Sequence, residues 1–461
     1  MTRNLPVVHS TCGGLVIRFL CLAAALAPVA CGDSPTTPAT AELRVAVTQS
    51  GNRSDGDGVI VEVTNQASGS RRSVPADPGD TVVLDELGAG SYLVRVAGLA
   101  EHCVAVPDEI SVTLAGQAAE VSLAVDCVGQ FAYARFFSQE RQDVLYLDEH
   151  GAEHTLSQGG WDIPRDWSPD GHFLLVDRWI GDQCETWRVG LDGSVQQVLI
   201  GPSSVGNSQW SPSGDLIAVQ YGSCADGVEQ IDVVLLDAAT LAPLDFVPNT
   251  TSELDQHPAW SPDGAEVAFV RSEHALNSYA VATRELREIA QLPRGIDFPV
   301  WSPDGDYIAV VAYSPQQLLI LEAQSGEIVA ATPDSIIAIT AAWLPDGRTI
   351  LFNGLHGAAE SLYSMSLADG ATRRFTGEVS GIVAAGLSVD PDARVLFVGR
   401  PTGTNAVFVA DADGSNARQL RSGTEHMQMP VWRRTMGASA SVATMGAARQ
   451  AQADRQRLAP H

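Results

Sequence analysis

The sequence predicts an all-β protein: a seven-bladed β-propeller, with six blades as the alternative count, preceded by a small β-sandwich. Three observations predict it. A five-residue turn, Trp167-Ser168-Pro169-Asp170-Gly171, recurs at Trp210, Trp260, Trp301 and Trp343, with a worn copy starting at Leu387 and a last Trp at Trp432. The anchors are spaced by 43, 50, 41, 42, 44 and 45 residues, the period of a four-stranded blade. An apolar strand follows each anchor but the last, as at residues 173–176, 216–219 and 267–270.

The motif has a local physical logic. Proline pre-sets the first turn angle, aspartate accepts backbone hydrogen bonds, and glycine takes the left-handed position from which the next strand starts. The tryptophan just before the turn is placed to pack between neighbouring blades.

Taken in order, residues 1–30 read as an export signal. Arg3 and Arg18 supply positive charge, and residues 19–30 form an apolar run too short to span a bilayer. The run ends Ala30-Cys31-Gly32. This resembles a bacterial lipobox, which implies lipidation of Cys31 and, with Gly32 following, an outer-membrane anchor. Residues 31–40 form a short polar, proline-containing tether.

Residues 41–128 hold at least five alternating, β-branched runs separated by Gly, Asp and Pro, the pattern of a β-sandwich. Cys103 and Cys127 are expected to clip its last strands, contributing roughly 3 kcal/mol by chain entropy. The run Ser54-Asp55-Gly56-Asp57-Gly58 lacks the downstream ligands of a calcium loop and reads as a hairpin turn. Residues 129–433 carry the repeat. Residues 434–461, rich in Ala, Gln and Arg, read as a flexible tail.

Five close matches at one period resemble the repeat of TolB-type β-propellers, which are related to the WD40-like class. The resemblance covers residues 129–433. That family commonly has six blades, whereas seven anchors are counted here. Seven second strands are also counted once residues 131–135 are included. The strand ending at Trp432 is therefore expected to close the ring by joining residues 131–157. The sandwich resembles the immunoglobulin-like or carboxypeptidase-regulatory-like modules of bacterial surface proteins.

Composition narrows the function. A net charge of −27 argues against nucleic acid, because phosphates are bound by basic surface. All 28 basic residues are Arg. Cys103, Cys127, Cys184 and Cys224 form an even set that favours two disulfides in an exported chain. Metal binding is the rival, and no Cys or Cys/His pair has ligand spacing. Cys184 and Cys224 occupy matching loop positions on adjacent blades, so a bridge between them is expected. His150-Gly151-Ala152-Glu153-His154 matches an inverted zinc-peptidase pattern, but it falls on a hairpin where a helix is required. No nucleophile elbow or P-loop occurs.

The remaining candidates are residues expected at the mouth of the central funnel: Asp162, Asp255, His257, Asp297, Glu425 and His426. An acidic funnel suits a cation, a basic peptide or a sugar; a solvated loop rim is the bland alternative. The expectation is a cofactor-free, non-enzymatic lipoprotein of the cell envelope that docks a protein or an envelope polymer. A polysaccharide lyase or hydrolase using funnel His and carboxylates is the alternative.

Overall fold

Among the described residues strands joined by turns recur and no helix occurs. The computed structural model describes residues 40–50, 58–77, 79–99, 103–107, 109–127, 130–138, 141–148, 152–180, 183–198, 204–222, 231–248, 253–357, 359–375, 382–400, 403–421 and 426–433. Cys31, His150, Cys224, Glu425, the export segment, most of the tether and the tail lie outside them.

Eight strands form the first unit. They are β1 (Thr40–Ser50), β2 (Val59–Asn65), β3 (Arg71–Ala76), β4 (Thr81–Gly88), β5 (Gly90–Ala97), β6 (Cys103–Val106), β7 (Glu109–Leu114) and β8 (Ala119–Cys127). They pair as two four-stranded sheets, β4-β1-β8-β6 and β3-β2-β5-β7. One core, with Leu43, Val61, Val94 and Leu123 fully buried, lies between them. In β4 and β5 alternate residues are buried, as a sheet with one wet face requires. The antiparallel pair β6–β8 sets Cys103 directly opposite Cys127.

The remaining strands are built on the repeat. First come β9 (Phe131–Ser138), β10 (Arg141–Leu147) and β11 (Glu153–Ser157). Next are β12 (Trp161–Trp167), β13 (Phe173–Ile180), β14 (Gln183–Gly190) and β15 (Val195–Val198). A third group is β16 (Ser204–Trp210), β17 (Leu216–Gly222), β18 (Ile231–Asp237) and β19 (Pro243–Phe246). A fourth is β20 (Asp255–Trp260), β21 (Glu266–Arg271), β22 (Ala275–Ala280) and β23 (Glu285–Gln291). A fifth is β24 (Ile296–Trp301), β25 (Tyr307–Ala312), β26 (Gln317–Glu322) and β27 (Ile328–Ala331). A sixth is β28 (Ile337–Trp343), β29 (Thr349–His356), β30 (Ala359–Ser366) and β31 (Thr372–Arg374). The last is β32 (Ile382–Val389), β33 (Val395–Gly399), β34 (Ala406–Ala410) and β35 (Arg418–Arg421), followed by a single strand β36 (Met427–Trp432).

Each quartet from β12 onward is an antiparallel sheet in chain order. β36 completes the first group by pairing with β9, Trp432 opposite Phe131 and Met427 opposite Arg135. This is the closure expected from Trp432. A lone bridge, Gln142 to Trp161, links that sheet to β12. The first strand of each four-stranded set touches the first strand of the next in the order β36, β12, β16, β20, β24, β28, β32 and back to β36. Closing a sheet assembly on itself leaves only short outer edges.

The recurring turn behaves as its residues require. Ser168 Oγ donates to Asp170 Oδ1 at 2.5 Å and accepts from the Phe173 N–H at 2.9 Å. Ser261 and Ser302 repeat both bonds. The turn glycines have φ between 64° and 80°, the left-handed region that glycine enters without steric cost. Three of the tryptophans tie their set to the one before. Trp260, Trp301 and Trp343 donate their indole N–H to the backbone oxygens of Gln209, Ala259 and Val300 at 3.2–3.3 Å.

One expectation is corrected. The worn copy is anchored at Val389, not Leu387. Val389 pairs with the start of its following strand, Val395, as Trp167 pairs with Leu174. Asp390, Pro391, Asp392 and Ala393 then hold the places of Ser, Pro, Asp and Gly, with the turn one residue shorter.

Candidate functional site

The innermost strands share a second device besides the tryptophan. Each carries an irregularity in its pairing two to five residues before the end of the strand. At the position three before the anchor, Asn207, His257, Phe298 and Met429 have φ of 49–56°. Gly386 takes the same place at φ 133°, where a Cβ would meet the Met429 Cα at 2.6 Å. His257, Phe298 and Met429 each precede a proline, which disfavours helical backbone further. Non-glycine residues held there are strained, and such strain gathers at functional sites. Two of the freed bulge N–H groups are met by side chains of the preceding set. Asn207 N–H donates to Asp177 Oδ2 at 2.9 Å and His257 N–H to Gln220 Oε1 at 3.2 Å.

Two of the expected funnel residues meet at this bulge. His257 Nδ1 stands 3.3 Å from Asp297 Oδ1, without hydrogen-bond geometry. The His257 and Phe298 rings lie 4.1 Å apart at a 39° tilt. Asp297 also accepts the Tyr313 hydroxyl at 2.8 Å. The result is a compact His–Phe–carboxylate group spanning β20 and β24.

The other candidates go elsewhere. Asp162 is buried and takes Arg178 by two bonds of 2.7 and 2.8 Å. Asp255 is equally buried and takes Arg271 at the same two distances. Each arginine then reaches back to a loop carbonyl, Gln158 O or Pro248 O. Burial pushes the Asp255 carboxyl above its ordinary value, against the pull of Arg271. These aspartates are clips within one set, so at these two positions the wall is neutralised where an open acidic rim was expected. Their partners sit 16 residues downstream in both cases, a regularity that was visible in the sequence.

His426 accepts the Asn405 N–H on Nδ1 at 3.2 Å and lies edge-on to Phe136. Desolvation, and then the charge of Arg400, hold its pKa below the usual value. Around it, Trp161, Ile163 and Met429 form a small apolar cluster with Phe136 and Trp179. Sequence reading missed this cluster, because its members come from four strands of two sets. Cys184 lies within β14, not in a loop, and its sulfur faces Gly206 of the next set.

A separate cavity of about 410 Å³ opens between two turns, lined by Pro262, Asp263, Glu266, Trp301 and Asp304. Its carboxylates are already bonded. Asp263 is held below the usual range by the Ser261 hydroxyl and then the Ala265 N–H, and Glu266 pairs with Arg287 at 3.2 Å. Among the described residues no three His, Cys, Asp or Glu side chains converge as metal ligands.

A cycle of four-stranded antiparallel sheets, wedged by tryptophan and closed by the last strand, defines a β-propeller. Residues 246–435 match the TolB beta propeller domain family. A relative from Agrobacterium fabrum (strain C58), the uncharacterized protein Atu1656, is 32% identical over 141 residues. The match takes in 28% of this chain and 47% of that relative, so the chain spans about half the relative's length. Among solved structures, TolB from Acinetobacter baumannii is similar at 13% identity and a TM-score of 0.41, covering 67% of this chain and 83% of that one. An oligogalacturonate lyase in complex with manganese is similar at 14% identity and a TM-score of 0.45, covering 63% and 85%.

Proposed function

We propose that the chain is a binding or scaffold lipoprotein of the cell envelope. Cys31 anchors it to a membrane, the outer one by the residue that follows, and the propeller docks a protein or an envelope polymer at its innermost strands. The carrying observation is the bulge. The turn that builds each blade repeats its chemistry, whereas the strained position three before the anchor changes from Asn207 to His257, Phe298 and Met429. Variable side chains on a rigid, repeated frame are the usual arrangement of a recognition surface. His257, packed on the buried Phe298 ring with Asp297 beside it, offers a polar edge, which suits a peptide side chain or a sugar ring.

Cross-linked capture from native membranes tests this reading. His257→Ala should reduce capture of the same partner about tenfold, equivalent to about 1.4 kcal/mol, without changing the melting temperature by more than a few degrees. Undiminished capture would remove the bulge from the site. Stoichiometric transition metal lost on His257→Ala or His426→Ala would replace the binding reading with the enzymatic one. For the anchor, Cys31→Ala should move the protein to the soluble fraction, since stable attachment relies on the acyl chains. Retention in the membrane pellet rejects lipidation at Cys31.

A further inference from the structure

The turn between β32 and β33 departs from the others in one chemically specific way. Where Ser168, Ser261 and Ser302 stand, it has Asp390. The serine hydroxyl does two jobs: it accepts a backbone N–H from the next strand and donates its proton to the motif aspartate two residues on. Asp390 keeps the first job, its Oδ1 accepting the Arg394 N–H at 2.7 Å. Its backbone also keeps the motif bonds, N–H to Arg394 O and O from the Ala393 N–H, both at 3.0 Å. The second job falls on Oδ2, which is buried without a hydrogen-bond partner, in a residue only 2% exposed. The motif aspartate is Asp392. An ionised carboxylate is an acceptor only, so it has nothing to donate; a protonated one has an O–H like serine.

The charges bearing on Asp390 are known from each side. Burial is the largest influence and pushes its pKa up to about 7. The charge of Asp392 adds to the rise, and the Arg394 N–H, the Arg394 guanidinium and the Asp392 N–H oppose it. On the neighbouring set, Asp346 is engaged by the Arg348 and Thr349 N–H groups, and Arg348 reaches away to Asp304 and Asp306. On the closing strand's side, Arg433 turns to Gly171 O, Gln130 and Tyr146. The turn also abuts the ring closure. Ser388, next to Val389, accepts the Trp432 N–H at 3.2 Å, and Gly386 packs on the Met429 backbone.

We propose that Asp390 is a protonated stand-in for the motif serine, and that its ionisation makes the seam between β32 and the closing strand β36 a pH-sensitive latch. An acid whose folded-state pKa lies above its unfolded value stabilises the fold at low pH and loses that contribution as pH rises. The loss should run from the ordinary aspartate value of 3.8 up to about 7 and level off above it.

Thermal melting of the full chain between about pH 5 and about pH 9 reads this directly. The wild type should lose several degrees on going from the acid to the alkaline end. Asp390→Ser, which restores the motif, and Asp390→Asn, a neutral isostere, should each flatten the profile. Hydrogen exchange should show protection of residues 427–432 falling at alkaline pH in the wild type and not in Asp390→Ser. If one variant fails to fold, difference infrared spectroscopy of the other against wild type still decides. A protonated carboxyl band at pH 6 that is missing from the variant supports the latch. Parallel melting profiles in wild type and variants, or no such band, would overturn it.

Discussion

Asp255 and Asp162 show how a charge inside a propeller wall is made tolerable. Each accepts two bonds from one arginine, and that arginine also reaches a loop carbonyl. Removing one partner strands a charge in a poorly solvated place. Asp255→Ala should therefore destabilise the protein by about 3–5 kcal/mol, measured by urea unfolding, whereas replacing both Asp255 and Arg271 by apolar residues should cost far less. His426 gives a pH dependence opposite in sign to that of Asp390. Its Nδ1 accepts a backbone N–H, so the ring must be neutral there, and its folded pKa lies below the ordinary value of 6.5. Stability from this group is present above 6.5 and is lost as pH falls below it, because the unfolded chain takes up the proton first. His426→Gln should remove that acid-side loss in the same melting series; an unchanged acid limb would show that His426 contributes none of it.

The turn and the hairpin are where local sequence has most authority. Gly264 has φ 71° and lies 3.4 Å, measured to its would-be Cβ, from Pro212 of the preceding turn. Gly264→Ala should cost about 1–2 kcal/mol from backbone strain alone, and Gly264→Asn less, because asparagine enters the left-handed region more readily. Equal losses for the two would point to the Pro212 contact in place of the backbone. The sandwich poses a different test. Cys103 and Cys127 are register partners across β6–β8, the backbone pairing a cross-strand bridge needs. Non-reducing peptide mapping of exported protein should recover that pair joined, and alkylation of both thiols without prior reduction would rule the bridge out.

Closure is a property of the ring, and β36 is the strand that supplies it. Without it β9 would present an open edge, and the cycle of innermost strands would break between β32 and β12. A chain truncated before Met427 should lose its single cooperative melt and aggregate through that edge; a soluble, cooperatively folding truncation would mean that closure is dispensable. The outer face makes a smaller demand. Strands such as β19 and β27 leave Phe246, Ile328 and Val329 about half exposed, scattered across different sets, as on most protein surfaces.

Much of this was legible in residues alone. The period of the Trp-Ser-Pro-Asp-Gly turn, the strand after it and the pairing of the Trp432 strand with residues 131–135 all follow from local chemistry repeated at fixed distance. Such chemistry acts within a few residues and needs no knowledge of what lies across the sheet. The worn copy was misplaced by two residues because neither tryptophan nor glycine marks it, and only the strand register shows that Val389 and Asp390 hold those places. The fate of the funnel carboxylates was likewise settled by packing. Asp162 and Asp255 look like an acidic mouth until β13 and β21 fold back and set an arginine opposite each. His257 and Asp297 are 40 positions apart in the chain and become neighbours only because β20 and β24 begin adjacent blades. The sequence by itself determined the repeat, since turn and strand are written in short-range sterics and hydrophobicity. Which charges are neutralised, which are strained into the centre and which acid is left without a donor was decided by tertiary structure, because burial and electrostatic pairing depend on what the whole ring brings together.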